Sequence, residues 1–483
     1  MTESSIGKKV FKGASWLAMF KSISQVFSWG VTILVARILV PGDYGLMAMA
    51  TIITGYAEMF AELGLGAAII QKPKLRQEEL SSVFWFSFIF GFLLALSCFP
   101  IAHLTAFIFH EPRVIPLTKT LSLLFILSSL QIVPLNLLKK ELNFKIVGII
   151  EMTATIVACS SMIIIAKMGG GVWTLLCGFL IRSFTSLILI YFKVRWLPKL
   201  HFNFNEAKSY LKFGITMALG RSLFYVWEQS DKFFAGRAWN TKILGYYSFA
   251  IQLAQIPTEK IVVLINQVAF PAFSKLQDDK DQFNALYLNI TKVTATLVLP
   301  LFVGGFLVGD NIVRILLNEK WYPIIFLFKY LCLSQIMMAM NAINNFAHAA
   351  QGRPHWGLCY HTAAAMLMPV SFYLAVPYGL NAILIPWFTT FIVICSVWII
   401  TTLKKLGVPV TAYIKNLLHP ILAALVMAAG VTACEYLIVS LSIRDIPLIF
   451  ILVIKVATGG VCYLGYLWIF NRQIFYDLKK IRS

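Results

Sequence analysis

What most constrains this chain is a succession of apolar stretches, each about 20 residues long, running from near its start to residue 470. A helix of that length crosses the hydrocarbon core of a bilayer and makes every backbone hydrogen bond within itself. About fourteen segments qualify: 14–36, 44–69, 81–104, 116–136, 146–167, 171–193, 208–236, 243–268, 286–308, 322–348, 356–376, 379–402, 416–440 and 446–470. The second, seventh and tenth are long and comparatively polar. Only short connections are left between them, so the expected fold is an all-α polytopic membrane protein with no soluble domain. Composition agrees: 13% of the residues are charged and the mean hydropathy is +0.79, whereas soluble domains carry nearer a quarter charged residues.

The net charge of +20 would suggest a nucleic-acid partner in a soluble protein. Here the basic residues fall between apolar runs, which is the mark of membrane topology, and no nucleic acid is expected. With the N-terminus inside, the inner segments hold groups such as Lys8, Lys9 and Lys12; Lys72, Lys74 and Arg76; Lys139, Lys140 and Lys145. Lys193, Arg195, Lys199, Lys208 and Lys212 follow, and the tail adds Arg472, Lys479, Lys480 and Arg482. Roughly 24 basic residues fall inside against about 9 outside, which predicts an even number of spans with both termini in the cytoplasm. The first apolar stretch contains Lys21 and Gln25 and lacks a small-residue cleavage pattern, so it reads as a span rather than a signal peptide.

Chemistry-bearing motifs are scarce. The cysteines all lie in or beside apolar runs, with no C-x-x-C pair, and read as small buried hydrophobes rather than disulfides or a zinc site. His348, His355 and His361 gather without an acidic ligand or nucleophile, so no metal centre is expected. No G-x-x-x-x-G-K-[ST] sequence is present, so ATP is not expected as the direct energy source, and the chain does not read as an enzyme.

Residues 12–45 can be set over 212–245 without a gap, which matches Lys12 with Lys212, Lys21 with Arg221, Arg37 with Arg237 and Gly45 with Gly245. Lys21 with Arg221 is the informative pair, because both lie inside spans. An even number of spans separates the two copies, so they are parallel repeats related by an axis along the membrane normal. The expected architecture is an N-terminal lobe over 1–200, a C-terminal lobe over 201–405, each of six helices, and two appended helices with a cytoplasmic tail over 406–483. Substrate would lie between the lobes, and rocking of one against the other would give alternating access.

Most of the charges inside spans occupy the first, second, seventh and eighth: Lys21, Glu58, Glu62, Arg221, Glu228, Asp231, Lys232, Glu259 and Lys260. Each costs about 2.5–3.5 kcal/mol near the bilayer centre on insertion scales, so they should face one another or water. Glu58 and Glu62 share a helix face, as do Lys21 and Gln25. Gln252, Gln255 and Glu259 form a polar stripe, and Arg221, Tyr225, Glu228 and Lys232 lie on one side of the seventh span. Lys21 and Arg221 have no acidic neighbour one turn away on their own helices, which makes them the candidates for holding an anionic head group. The others are candidates for lining and coupling, with Trp16, Trp29, Phe224, Tyr225 and Trp227 offering flat faces for sugars or for packing.

Several stretches carry a resemblance. Gly45-Leu46 through Ile69-Ile70-Gln71, with Glu62-Leu63-Gly64-Leu65-Gly66 inside it, resembles the second-helix pattern of polysaccharide exporters of the colanic acid and teichuronic acid type, the Wzx-like flippases. So do Lys140-Glu141-Leu142-Asn143-Phe144-Lys145 with Ile150-Glu151, then Phe270 through Asp279, and Glu319-Lys320-Trp321. The likeness covers about residues 10–350 and is carried most specifically by the Phe270–Asp279 motif. It implies membership of a superfamily shared with multidrug antiporters and the peptidoglycan-precursor flippase, with two lobes. It also implies translocation of a polyprenyl-diphosphate-linked oligosaccharide across the bacterial cytoplasmic membrane, in contact with membrane lipids and beside the polymerase and glycosyltransferases of the same pathway. A proton or sodium gradient is the expected driving force, with no bound cofactor. The competing readings are a cation-coupled multidrug antiporter and a membrane-bound polysaccharide polymerase or ligase.

Overall fold

A computed structural model describes residues 3–62, 65–72, 75–204, 221–353, 355–440, 447–472 and 474. Among the described residues there is no strand. Lys212, Lys74, Gly64 and the tail residues Lys479, Lys480 and Arg482 lie outside them.

The first half runs α1 (Glu3–Ile38), α2 (Pro41–Glu62), α3 (Leu65–Gln71), α4 (Gln77–Phe109), α5 (Val114–Leu121), α6 (Leu123–Lys140), α7 (Phe144–Lys167), α8 (Val172–Val194), α9 (221–228) and α10 (Ser230–Ala238). The second half runs α11 (Thr241–Lys275), α12 (Lys280–Leu316), α13 (Ile324–Ala350), α14 (His355–Ala375), α15 (Ile385–Phe388), α16 (Thr390–Leu406), α17 (Val410–Ser440) and α18 (Leu448–Phe470). Among the described residues, 12 helical stretches are long and apolar enough to cross a membrane. They coincide with every expected span except the second and seventh. The second is described as α2 and α3, with residues 63–64 between them outside the described residues, and the seventh begins outside the described residues. The twelfth expected span is also segmented, since 3-10 turns at Leu380–Leu384 and the α15–α16 break at Thr389 precede its long helix.

The chain divides into two compact units, Met1–Gly245 and Tyr246–Ser483. In the first, α1 lies along α7, which packs on α8, while α4 packs on α6. Gly148 makes the α1–α7 approach possible, because a Cβ there would stand 3.0 Å from Phe20 and 3.4 Å from the Leu17 backbone. The starts of α2 and α10–α11 also meet within this unit. A Cβ on Gly45 would overlap the Thr241 carbonyl, and one on Gly245 would overlap the Pro41 carbonyl. The two contacts exchange residues at the same spacing that sets Gly45 over Gly245 in the sequence. In the second unit, α12 packs on α13, α17 and α18, and Phe273, Phe283, Tyr287 and Ile343 anchor an apolar core at one end.

The motifs behind the resemblance turn out to build these contacts. Gly66 brings α3 against α6, where a Cβ would stand 2.6 Å from the Asn136 amide. Lys140 then reaches back to the Ile69 carbonyl at 3.3 Å and to the Lys72 carbonyl, closing the C-terminal end of α3. Phe273 is fully buried against Phe283, and Asp279 caps α12 by accepting from the Gln282 amide at 3.0 Å. Trp321 is fully buried against Phe249, with ring centroids 4.5 Å apart.

Candidate functional site

Lys21 projects from α1 between apolar residues. Across the α1–α7 contact its Nζ meets Glu151 Oε2 at 3.3 Å. The pair is half open, with 55% of the lysine side chain and 33% of the glutamate side chain exposed. Glu151 stands one turn beyond Gly148, so the glycine that brings the helices together also brings the charges together. Reasoning along α1 alone missed this partner, since it lies on another helix. The in-span acid at the end of the Lys140–Glu151 stretch was the available signal.

A second cluster joins α2 to α9. The Tyr225 hydroxyl donates to the Ile52 carbonyl at 2.8 Å, and its ring lies 5.8 Å from that of Tyr56. Gly55 leaves room for that hydroxyl, which a Cβ would overlap. Glu58 on α2 and Glu228 on α9 both lie close enough to act on Tyr225 electrostatically. The structure thus groups two of the expected lining carboxylates with a phenol. Arg221 is exposed at the first described turn of α9, Glu58 is exposed and Glu228 is half-buried. Glu62 ends α2, and its side chain lies outside the described residues.

On α10, Asp231 is fully buried and accepts from the Lys232 amide at 2.6 Å. The half-buried Lys232 donates to Gln229 Oε1 at 3.1 Å. Trp227 is buried and packs edge-on against Phe224, so it serves packing rather than presenting a free ring face. Gln25 is half-buried on α1. In the second unit, Gln252 and Glu259 are exposed and Gln255 is half-buried along α11, while Thr258 points inward to Gln335 Oε1 at 2.9 Å. His348 is buried and bonded to Thr402 Oγ1 at 3.0 Å, a packing role. Among the cysteines, Cys359 is exposed, unlike the buried Cys98, Cys159, Cys332 and Cys395.

The second unit holds its own ion pair. Lys455 on α18 meets Glu435 Oε1 at 3.0 Å and donates to Asn311 Oδ1 at 3.1 Å. Next to it lies an apolar cavity of about 530 Å³, lined by Pro300, Leu301 and Gly304 of α12, Met427 of α17, and Gly459 and Leu464 of α18.

The family described as "Polysaccharide biosynthesis protein" matches residues 34–326, more than half of the chain. The chain belongs to this family. Relatives extend the likeness to nearly full length. The chain is 26% identical to the lipopolysaccharide biosynthesis protein WzxC of Escherichia coli over 70% of its own length and 69% of that protein's. It is 24% identical to the teichuronic acid biosynthesis protein TuaB of Bacillus subtilis over 95% of both chains. Among solved structures, the lipid II flippase MurJ in an inward closed conformation superposes with a TM-score of 0.75 at 13% identity, covering 95% of this chain and 99% of that one. At that identity the match establishes a shared fold. This polysaccharide biosynthesis family member is therefore a multi-pass, all-helical membrane protein of the same fold as that flippase.

Proposed function

We propose that this protein is a flippase carrying polyprenyl-diphosphate-linked oligosaccharide units from the inner to the outer leaflet of a bacterial cytoplasmic membrane, for surface polysaccharide synthesis. The observation that carries the reading is Lys21, a cation inside an apolar span whose side chain stays 55% exposed beside its Glu151 partner. A charge at that depth is retained where it meets water or a ligand. In the resting state Glu151 parks the ammonium. An arriving diphosphate, with more negative charge than one carboxylate, competes for it, and Arg221 adds a bidentate partner for phosphate oxygens.

Two six-helix lobes rocking about the site would give alternating access, with both termini in the cytoplasm. The tail is accommodated in the apolar cavity between α12, α17 and α18, whose volume suits a chain of branched hydrocarbon. Glu58, Glu62 and Glu259 couple the cycle to a proton or sodium gradient, and glycosyltransferases and a polymerase of the same pathway supply and consume the lipid-linked unit. The test is export of polymer by cells carrying Lys21→Gln with Arg221→Gln. Export stops while the protein still inserts in the membrane; normal export would discard the head-group assignment. Glu58→Gln with Glu62→Gln removes the response to ionophores, and an unchanged response would refute the coupling.

One observation favours a second reading. Glu58 and Glu228 act electrostatically on Tyr225, whose ring lies 5.8 Å from that of Tyr56, and carboxylates beside aromatic rings are the chemistry that takes an organic cation. A multidrug antiporter would need those carboxylates and be indifferent to Lys21 and Arg221, which drug-accumulation measurements on the same variants distinguish.

A further inference from the structure

We infer that the end of α8 and the segment that follows it, residues 192–204, are a binding element for the anionic phospholipid headgroups of the leaflet they face. After Val194 the chain does not leave the helix bundle but lies flat across the first turns of α4. Trp196 Nε1 donates to Gln77 Oε1 at 2.8 Å, and Gln77 Nε2 returns a bond to the Leu197 carbonyl at 2.9 Å. The Lys199 amide donates to Ser81 Oγ at 3.0 Å, Trp85 Nε1 donates to the Lys199 carbonyl at 2.8 Å, and the Asn203 amide donates to Ser82 Oγ at 3.0 Å. Trp196 packs inward against Phe84. A loop pinned at so many points holds its side chains at fixed depth.

The face this strap turns outward is apolar: Leu200 is 95% exposed, Leu197 70% and Phe202 50%. It continues the outward stripe of α8 formed by Phe184, Ile188 and Phe192 at intervals of one turn, the surface that meets acyl chains if α8 spans. Cations interleave with the apolar residues. Lys193 and Arg195 are exposed, and the Arg76 side chain is 75% exposed on the adjoining loop. Among the described residues, the acids of the first turn of α4 beside the strap are engaged, Glu78 with Lys199 at 3.2 Å and the buried Glu79 with Lys72 and Arg76 at 2.8 Å each. Apolar side chains at the acyl boundary with the exposed cations Lys193 and Arg195 beside them are complementary to a headgroup layer of negative charge. The distribution of basic residues predicts a cytoplasmic position for this side, where the leaflet is anionic. The inference stands whatever cargo the protein carries.

The experiment uses the full-length protein in nanodiscs of equal parts phosphatidylglycerol and phosphatidylcholine, with the photoreactive residue p-benzoylphenylalanine introduced at position 200. Mass spectrometry of the lipid adducts should give phosphatidylglycerol enriched about fivefold or more over the bulk ratio, the factor expected from roughly one interfacial cation's worth of attraction. Lys193→Gln with Arg195→Gln, checked for unchanged elution and helicity, returns the ratio to bulk. The same photoreactive residue at Tyr436, an exposed position near the end of α17, reports the bulk ratio throughout. Adducts at the bulk ratio from position 200, equal enrichment at position 436, or cross-links to protein without lipid would each overturn the inference.

Discussion

Among the described residues, each unit has a lysine–glutamate pair inside its spans, Lys21–Glu151 in the first and Lys455–Glu435 in the second, and these two are built in opposite ways. Lys455 is 4% exposed and bonded twice, to Glu435 at 3.0 Å and to Asn311 at 3.1 Å. Lys21 meets Glu151 at 3.3 Å and leaves 55% of its side chain open. A glycine lies about one turn from each pair. Gly148 lets α7 approach Phe20 of α1, and Gly459 lets α18 approach Val431 of α17. The same helix-pairing device thus yields a closed pair in one place and an open one in the other. A closed pair has its desolvation offset by fixed partners and mainly holds helices in register. An open pair keeps a charge available to something that arrives from outside.

That contrast is sharpest under direct substitution. Lys21→Gln should cut polymer export about tenfold or more, the loss of a charge-assisted contact to a phosphate, with thermal stability in detergent nearly unchanged. Lys455→Met should do the reverse. It should lower stability by about 1–3 kcal/mol, less than a fully buried pair would cost because Glu435 is 55% exposed, while export per folded molecule holds. If both variants lose export equally at equal expression, the division into open and closed pairs fails.

The two glycines sharpen it further. Gly148→Ala would set its Cβ 3.0 Å from the Phe20 ring and 3.3 Å from Phe20 Cβ, an atom fixed to α1, and should cost about 1–2 kcal/mol while moving Lys21 away from Glu151, so export falls with stability. Gly459→Ala meets only the side chains of Val431 and Met427, which can shift, so thermal melting should change by less than about 1 kcal/mol. A smaller effect is expected from Glu151→Gln, which frees the ammonium and should tighten head-group binding a few-fold in a direct binding assay. Weaker binding would mean that Glu151 orients Lys21 rather than competing for it.

The smallest effect lies outside both pairs, in the turn between α4 and α5. Arg113 donates to Glu111 at 2.7 and 2.8 Å and holds its carboxyl below the usual carboxylate range. A depressed folded value means that the stabilisation is present above the unfolded value of about 4.3 and is lost as pH falls through the folded one. Glu111→Gln should therefore narrow its slight deficit in melting temperature to the parent only in acid, and a gap constant from pH 7 to pH 3 would contradict the assignment.

Much of this was readable along the chain, because a bilayer imposes a one-dimensional rule: length and apolarity decide which segments can span. The helices, the polar character of the second and seventh segments, and the spacing that relates Gly45 to Gly245 follow from that rule and from repetition. Which motif does what was not readable. The Gly66, Lys140, Asp279 and Trp321 motifs carry the family resemblance, yet in the structure they seat helices, caps and turns. Glu151 as the partner of Lys21, and Asn311 as the second partner of Lys455, come from residues far away in the chain.

Sequence alone determined that this is a bundle of spanning helices with costly charges concentrated in a few of them, since the cost of a charge in hydrocarbon depends on its own depth. Only the tertiary structure decided which of those charges is sealed and which is offered, because exposure and pairing depend on the neighbouring helix, and no periodicity within one helix specifies its neighbour.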